Sequence, residues 1–372
     1  MSATIRTITD IVEKLAPLSY AYEWDNVGLQ LGCKEDTANK ILTTLEITDA
    51  VLDEAVEKDV DMIITHHPLI FTPLKNITKD DIKGEIIYKI IQNNIAVYAA
   101  HTNMDIAPGG LNDYVAQQLD IQDTEVLDMK EKILYYKLVV FVPSGYEKKV
   151  AEAISIAGAG HIGNYSHCTF RTEGIGTFKP LKGTNPFIGK QEQLEEVEEV
   201  RLETIVPKEK LEEVIRALTD SHPYEEVAYD VYSLVNEGPP RGIGRFGKLS
   251  QPKTLKDLAE YIKYRMDIEH IVVAGNLKTV VEEVAVINGS GSDLIQAALH
   301  KGCQCVITGD VKYHDAQDAI SQAINVVDVG HYHSEKIFAH FMAQYLKKEA
   351  DKKGLKIDII ESSININPFQ II

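Results

Sequence analysis

The sequence predicts an α/β protein: two α/β lobes, one from each end of the chain, form one core around a cleft, and a ferredoxin-like α+β domain is inserted between them. Three observations predict this. Short apolar runs alternate with helical patterns between residues 41 and 120, the same rhythm returns after about residue 238, and the stretch between them contains a repeated unit. The resulting division is 1–129 for the N-terminal lobe, 130–237 for the insert and 238–372 for the C-terminal lobe.

The chain begins MSATIRTITDIVEKL, with Ile5, Ile8, Ile11, Val12 and Leu15 at helical spacing, so a folded amphipathic helix is expected and not a signal peptide. ILTTLEIT, AVLDEAVEKD, DMIITHHP, GEIIYKIIQNN, IAVYAAHTNMD and GGLNDYVAQQL then follow in βαβαβα order, which calls for a largely parallel sheet covered by helices. In the middle, YYKLVVFVP, EKKVAEAISIAG and HCTFRTEGIG can be laid on VRLETIVPK, KLEEVIRALTD and EEVAYDVYSLV. Each half reads strand, turn, helix, strand, and two such halves in tandem make a ferredoxin-like sandwich. The turn-rich segment TFKPLKGTNPFIGK is extra to the repeat, and NEGPPRG reads as the return linker. IEHIVVAG, VEEVAVING, DLIQAALHKG, CQCVITGD and INVVDVGH restore the α/β rhythm, ending in a long helix predicted from Ser334 to Ala350.

Composition narrows the class. The 372 residues are 44% hydrophobic and 25% charged, as in ordinary globular chains, and no apolar run reaches membrane-span length. Cys33, Cys168, Cys303 and Cys305 form no CxxC pair, which argues against a disulfide framework or a Cys-rich zinc site and fits a reducing cytoplasm. In CQCVI, Cys303 and Cys305 are expected on one face of a strand in a structural role. A formal charge of −18 opposes non-specific attraction to nucleic acid.

The chemistry-bearing residues gather where strands are predicted to end. His66 and His67 follow an apolar strand and precede Pro68, so their imidazoles converge only if the strand is ending there, or else serve different metal ions. His101 and Asp105 follow the next strand on a loop, with His101 expected to support the site or face a substrate. His331 and Glu335 are four apart and share a face if the last helix starts early, leaving His333 pointing elsewhere. Imidazole with carboxylate suits Zn, Mn, Fe or Co, and a carboxylate can bridge two ions that activate water for hydrolysis. The competing reading makes His67 a turn cap, Asp105 a helix cap and Glu335 a helix N-terminal carboxylate. Weaker features are the NGSGSD turn with Ser290 and Ser292, which offers either a phosphate cradle or a plain tight turn, and Asp310, Lys312 and His314 after another strand end. Trp24, Asp25 and Asn26 read as an Asx-turn, and His161 and His167 as parts of a shaped loop.

With EWDNVGLQLG, ITHHPLIF, AHTNMDIAPGGLND, GHIGNYSHCTF, INGSGSD, ITGDVKYHDAQDA and GHYHSE in place, the chain resembles the GTP cyclohydrolase I type 2 homologue family, also called NGG-interacting-factor-like. The resemblance runs over nearly the whole length, with one expected departure at Glu46 in TLEIT, where many relatives would carry Asp. It implies that His66, His67, Asp105, His331 and Glu335 are ligands of a centre of two divalent metal ions per subunit, and Glu335 is separately expected to be the catalytic carboxylate. It further implies a PII/CutA-like insert and a homohexameric ring. The expected function is a metal-dependent hydrolase of a nucleotide or related phosphate-bearing small molecule, the alternative being a non-catalytic regulatory or scaffold ring protein.

Overall fold

The computed structural model describes residues 3–371. The chain forms two compact units: one comprises the stretches up to Lys130 and from Arg241 onward, the other Glu131–Pro240.

The first unit contains a five-stranded sheet in the order Asp358–Glu361, Lys40–Thr44, Met62–Thr65, Ala96–Ala99, Gly28–Leu31. The first four strands are parallel, and Gly28–Leu31 closes the edge antiparallel to Ala96–Ala99. Alternate residues feed opposite faces, as the strand period of two requires. Ile41, Met62, Ile64 and Tyr98 pack into one core, while Leu42, Ile63 and Val97 pack into another. Helices Ile5–Leu15 and Ile337–Lys353 cover the first face, and Asp49–Glu57 and Ile82–Gln92 the second. Sequence order and spatial sheet part here. The helix and strand that end the chain do not stay with the preceding strands, because Phe338, Met342, Leu346 and Ile359 complete the core begun by the N-terminal helix.

The unit's other strands run in the order Val272–Ala274, Asn325–Asp328, Cys305–Gly309, Val280–Ser290, next to the Arg241–Thr254 part of a long strand. Val280–Ser290, Cys305–Gly309 and Asn325–Asp328 are parallel. Cys303 and Cys305 do not share a strand face as predicted. The strand starts only at Cys305, which joins one apolar cluster while Cys303 joins another. Both thiols are free, and burial pushes that of Cys303 up to about 12.

In the second unit the succession is strand, helix Glu147–Ile156, strand Thr169–Phe178, strand Glu195–Pro207, helix Leu211–Ser221, strand. Its first and last strands are the unit's portions of Ile121–Pro143 and Tyr229–Thr254, and the spatial order is fourth, first, third, second. Leu138, Val140, Leu202 and Val206 from the strands pack with Val150, Ile154, Val214 and Leu218 from the helices. Among the described residues no helix is long and apolar enough to cross a membrane.

Candidate metal centre

Parallel strands aim their C-terminal ends at one edge of a sheet, where α/β proteins place their ligands. In the first unit the edges of both sheets supply the same site. The Met62 strand ends at Thr65, and the backbone N–H groups of His66 and His67 turn to the carbonyl of Leu45, at 3.2 and 2.9 Å. The two imidazoles therefore leave the alternation of the strand and converge, with ring centroids 5.4 Å apart. His101 caps a short helix, Thr102–Ile106, which carries Asp105; the predicted loop is helical here, and the turn lifts Asp105 toward His66. The long helix predicted from Ser334 to Ala350 runs instead over Ile337–Lys353, and a separate short helix, His331–Glu335, precedes it directly after Gly330 at φ 78°. His331 and Glu335 then lie one turn apart on one face.

His66 is fully buried, and its Nδ1–H donates to the Ala100 carbonyl at 2.7 Å. That bond leaves Nε2 with a lone pair and no hydrogen-bond partner, 3.7 Å from Asp105 Oδ2 and 3.6 Å from Glu335 Oε1. Asp105 Oδ1 is likewise buried without a partner. Glu335 Oε2 faces the other way, 2.9 Å from His67 Nε2 and 3.0 Å from His331 Nε2, and these two nitrogens are 3.4 Å apart. Donors about 2.1 Å from a tetrahedral ion stand roughly 3.4 Å from one another, so the spacings among His67, His331 and Glu335 fit a cation between them, whereas Asp105 falls in no group of described donors close enough to share one.

The field agrees. Burial alone would keep His67 neutral, but Glu335 and Glu46 outweigh it and lift its pKa to about 10. Glu335 likewise lifts His331, against burial and with help from Asp310, to about 9. Burial opposes ionisation of Glu335 itself, yet His331, His66 and His67 hold it well below the usual carboxylate range. Burial raises Asp105. Carboxylates that retain protons this firmly on neighbouring imidazoles also favour a divalent cation in their place.

Among the described residues, two donor groups have ligand atoms close enough for a shared ion: His66, His67 and His101, and His67, His331 and Glu335. His101 thus stands nearer the centre than expected from sequence. Its Nδ1–H donates to Asp25 Oδ1 at 2.9 Å, while the N–H and hydroxyl of Thr102 donate to Asp25 Oδ2 at 3.0 and 2.5 Å. Asp25, read from sequence as a turn residue, does accept the Asn26 N–H, but it also fixes the His101 ring. Asp310 does the same for His331, at 2.7 Å to Nδ1. Such carboxylate–imidazole pairs orient metal-binding histidines through the nitrogen that does not face the ion.

The glycine-rich turn is packed against the site. Its Gly289 and Gly291 N–H groups are taken by the hydroxyls of Ser334 and Thr308, and Gly289 leaves room for Glu335: a Cβ there would lie 2.4 Å from Oε1. Lys312 and His314 lie at the start of helix Tyr313–Ser321, in neither donor group.

A model of the Duf34/NIF3 (NGG1p interacting factor 3) family matches residues 3–368. The chain belongs to this family. It is 44% identical over 367 residues to a GTP cyclohydrolase 1 type 2 homolog of Halalkalibacterium halodurans, covering 99% of this chain and 98% of that one. It is also 44% identical to the protein of that name from Bacillus subtilis, over 97% of each chain. Among solved structures, a Bacillus cereus protein related to NIF3 superposes with a TM-score of 0.90 at 43% identity, over 100% of this chain and 99% of that one. The family read from EWDNVGLQLG through GHYHSE is the family shown.

Proposed function

We propose that this chain is a divalent-metal-binding protein with a dinuclear centre, acting as a hydrolase on a nucleotide or related phosphate-bearing small molecule. The observation that carries the reading is the division of Glu335, whose Oε1 faces His66 and whose Oε2 faces His67 and His331. His66, Asp105 and Glu335 Oε1 would hold one ion, and His67, His331 and Glu335 Oε2 the other. The nitrogen and carboxylate donors suit Zn, Mn, Fe or Co. When bound, such ions supply charge stabilisation and activate water near neutral pH.

The chain's own residues prepare that chemistry. Asp25 and Asp310 keep the protons of His101 and His331 on Nδ1, so that the Nε2 atoms face inward. Trp24 and Phe71 stand edge-on to His101, with centroids 6.3 and 6.4 Å away, and give the approach an aromatic wall suited to a flat ring. The relatives' shared name makes guanine nucleotides the first substrates to test. We further assign the inserted unit a ferredoxin-like fold of the PII/CutA-like kind, on its strand order, and assign the protein a homohexameric state in the cytoplasm.

Metal-loaded protein incubated with a panel of nucleotides tests the central reading. Turnover by the wild type that is abolished in His67→Ala supports it. Inactivity of the loaded wild type across the panel favours a regulatory or scaffold protein instead.

A further inference from the structure

The segment TFKPLKGTNPFIGK, extra to the internal repeat, is not absorbed by the metal centre. In the second unit it forms one wall of a cavity of about 410 Å³, of a size that holds small molecules. Phe178 and Phe187 from this segment meet Tyr224 from the opposite wall, with ring centroids 5.9 and 6.2 Å apart and planes tilted by 58° and 51°. These three aromatic side chains stand around one concavity, which Phe141 also lines.

The cavity also holds a buried carboxylate. Glu199 is 8% exposed, and its neighbour Gly176 leaves it space: a Cβ there would lie 2.1 Å from Oε2. Oε1 accepts the Tyr224 hydroxyl at 3.0 Å, while Oε2 has no hydrogen-bond partner among the described residues. Tyr224 is itself fixed. Its N–H donates to His222 Nδ1 at 3.1 Å, and the other ring nitrogen of His222 donates to the Phe141 carbonyl at 3.1 Å. The orientation of Glu199 is therefore set before any ligand arrives.

Glu199 Oε2 thus offers an oriented acceptor to a donor entering the cavity. Glu225 and Glu226 also line the cavity, against one lysine, Lys179, so an anionic or phosphate-bearing ligand is disfavoured. Aromatic faces beside carboxylates suit an organic cation. We propose that this cavity is a binding site for a small alkylammonium compound, whose N–H groups donate to Glu199 Oε2 while its carbon chain lies among Phe178, Phe187 and Tyr224. The assignment is independent of the chemistry at the metal centre.

Saturation-transfer difference NMR on the full-length protein, titrated with n-pentylammonium, cadaverine and agmatine, tests it, with 1-pentanol as the neutral isostere. At least one cation should bind saturably, the alcohol about tenfold more weakly or less, and Glu199→Gln should weaken the cation by about tenfold. Phe187→Ala removes a half-exposed wall residue and should also weaken binding; with the alcohol comparison, it decides the matter if Glu199→Gln does not fold. Absence of saturable binding by all three cations, equal binding of the alcohol, or undiminished binding in both variants overturns the assignment.

Discussion

Gly289 shows how little freedom the centre has at the scale of a single residue. Its backbone is left-handed, at φ +64°, and the space where a side chain would start is occupied by the carboxylate of Glu335. Gly289→Ala should therefore push Glu335 out of register, lower the metal content and cost about 1–3 kcal/mol of stability through backbone strain. Metal analysis alongside thermal melting checks this, and full metal content in the variant contradicts it. The histidines and carboxylates were legible in the sequence because each follows an apolar run that had to be a strand. Asp25 was not, since its partner His101 lies 76 residues away and the local Asx-turn, which does form, already accounts for an aspartate there.

Among the elements, the helix beginning at His331 was the hardest to place. Ser334 has the composition of an N-cap, but its hydroxyl accepts from Gly289 N–H and donates to the His331 carbonyl, one turn inside the helix. The actual boundary is set by Gly330, whose N–H donates to Asp328 Oδ1. The strands were more legible, because Met62–Thr65 and Ala96–Ala99 are buried along their whole length and read as unbroken apolar runs. What no local pattern showed is that Asp358–Glu361 returns to pair with Lys40–Thr44, since parallel pairing at that separation leaves no mark in either segment. Glu54, on helix Asp49–Glu57, ties down the chain after this strand by accepting from the Ser362 and Ser363 hydroxyls and the Ser363 N–H. Burial would raise its pKa, but Lys58 and the two serines outweigh burial and bring it to about 2. A depressed carboxylate contributes stability that is fully present above its unfolded pKa and lost as pH falls through the folded value. Denaturant unfolding should accordingly show Glu54→Gln to be about 2 kcal/mol less stable than wild type at neutral pH, with the gap closing between roughly pH 4.5 and 2. A gap that stays constant through that window would show that the ionised form of Glu54 is not what holds the segment.

For the whole molecule, the proposed ligands all come from the unit made by the two ends of the chain, and none from Glu131–Pro240. Replacing that stretch with a short Gly-Ser linker should leave a folded protein with its metal complement, and loss of metal from a folded deletion protein would contradict the separation. Because His66 and His67 meet His331 and Glu335 only when both sheets are in place, metal content would report directly on the fold if the proposed centre forms. The most direct test of the dinuclear centre is metal content per chain, by elemental mass spectrometry, in wild type, His331→Ala, Glu335→Ala and His333→Ala. About two ions are expected in the wild type, about one in His331→Ala, up to both lost in Glu335→Ala, and both kept in His333→Ala. Loss of metal from His333→Ala with full retention in His331→Ala and Glu335→Ala would contradict the centre as assigned.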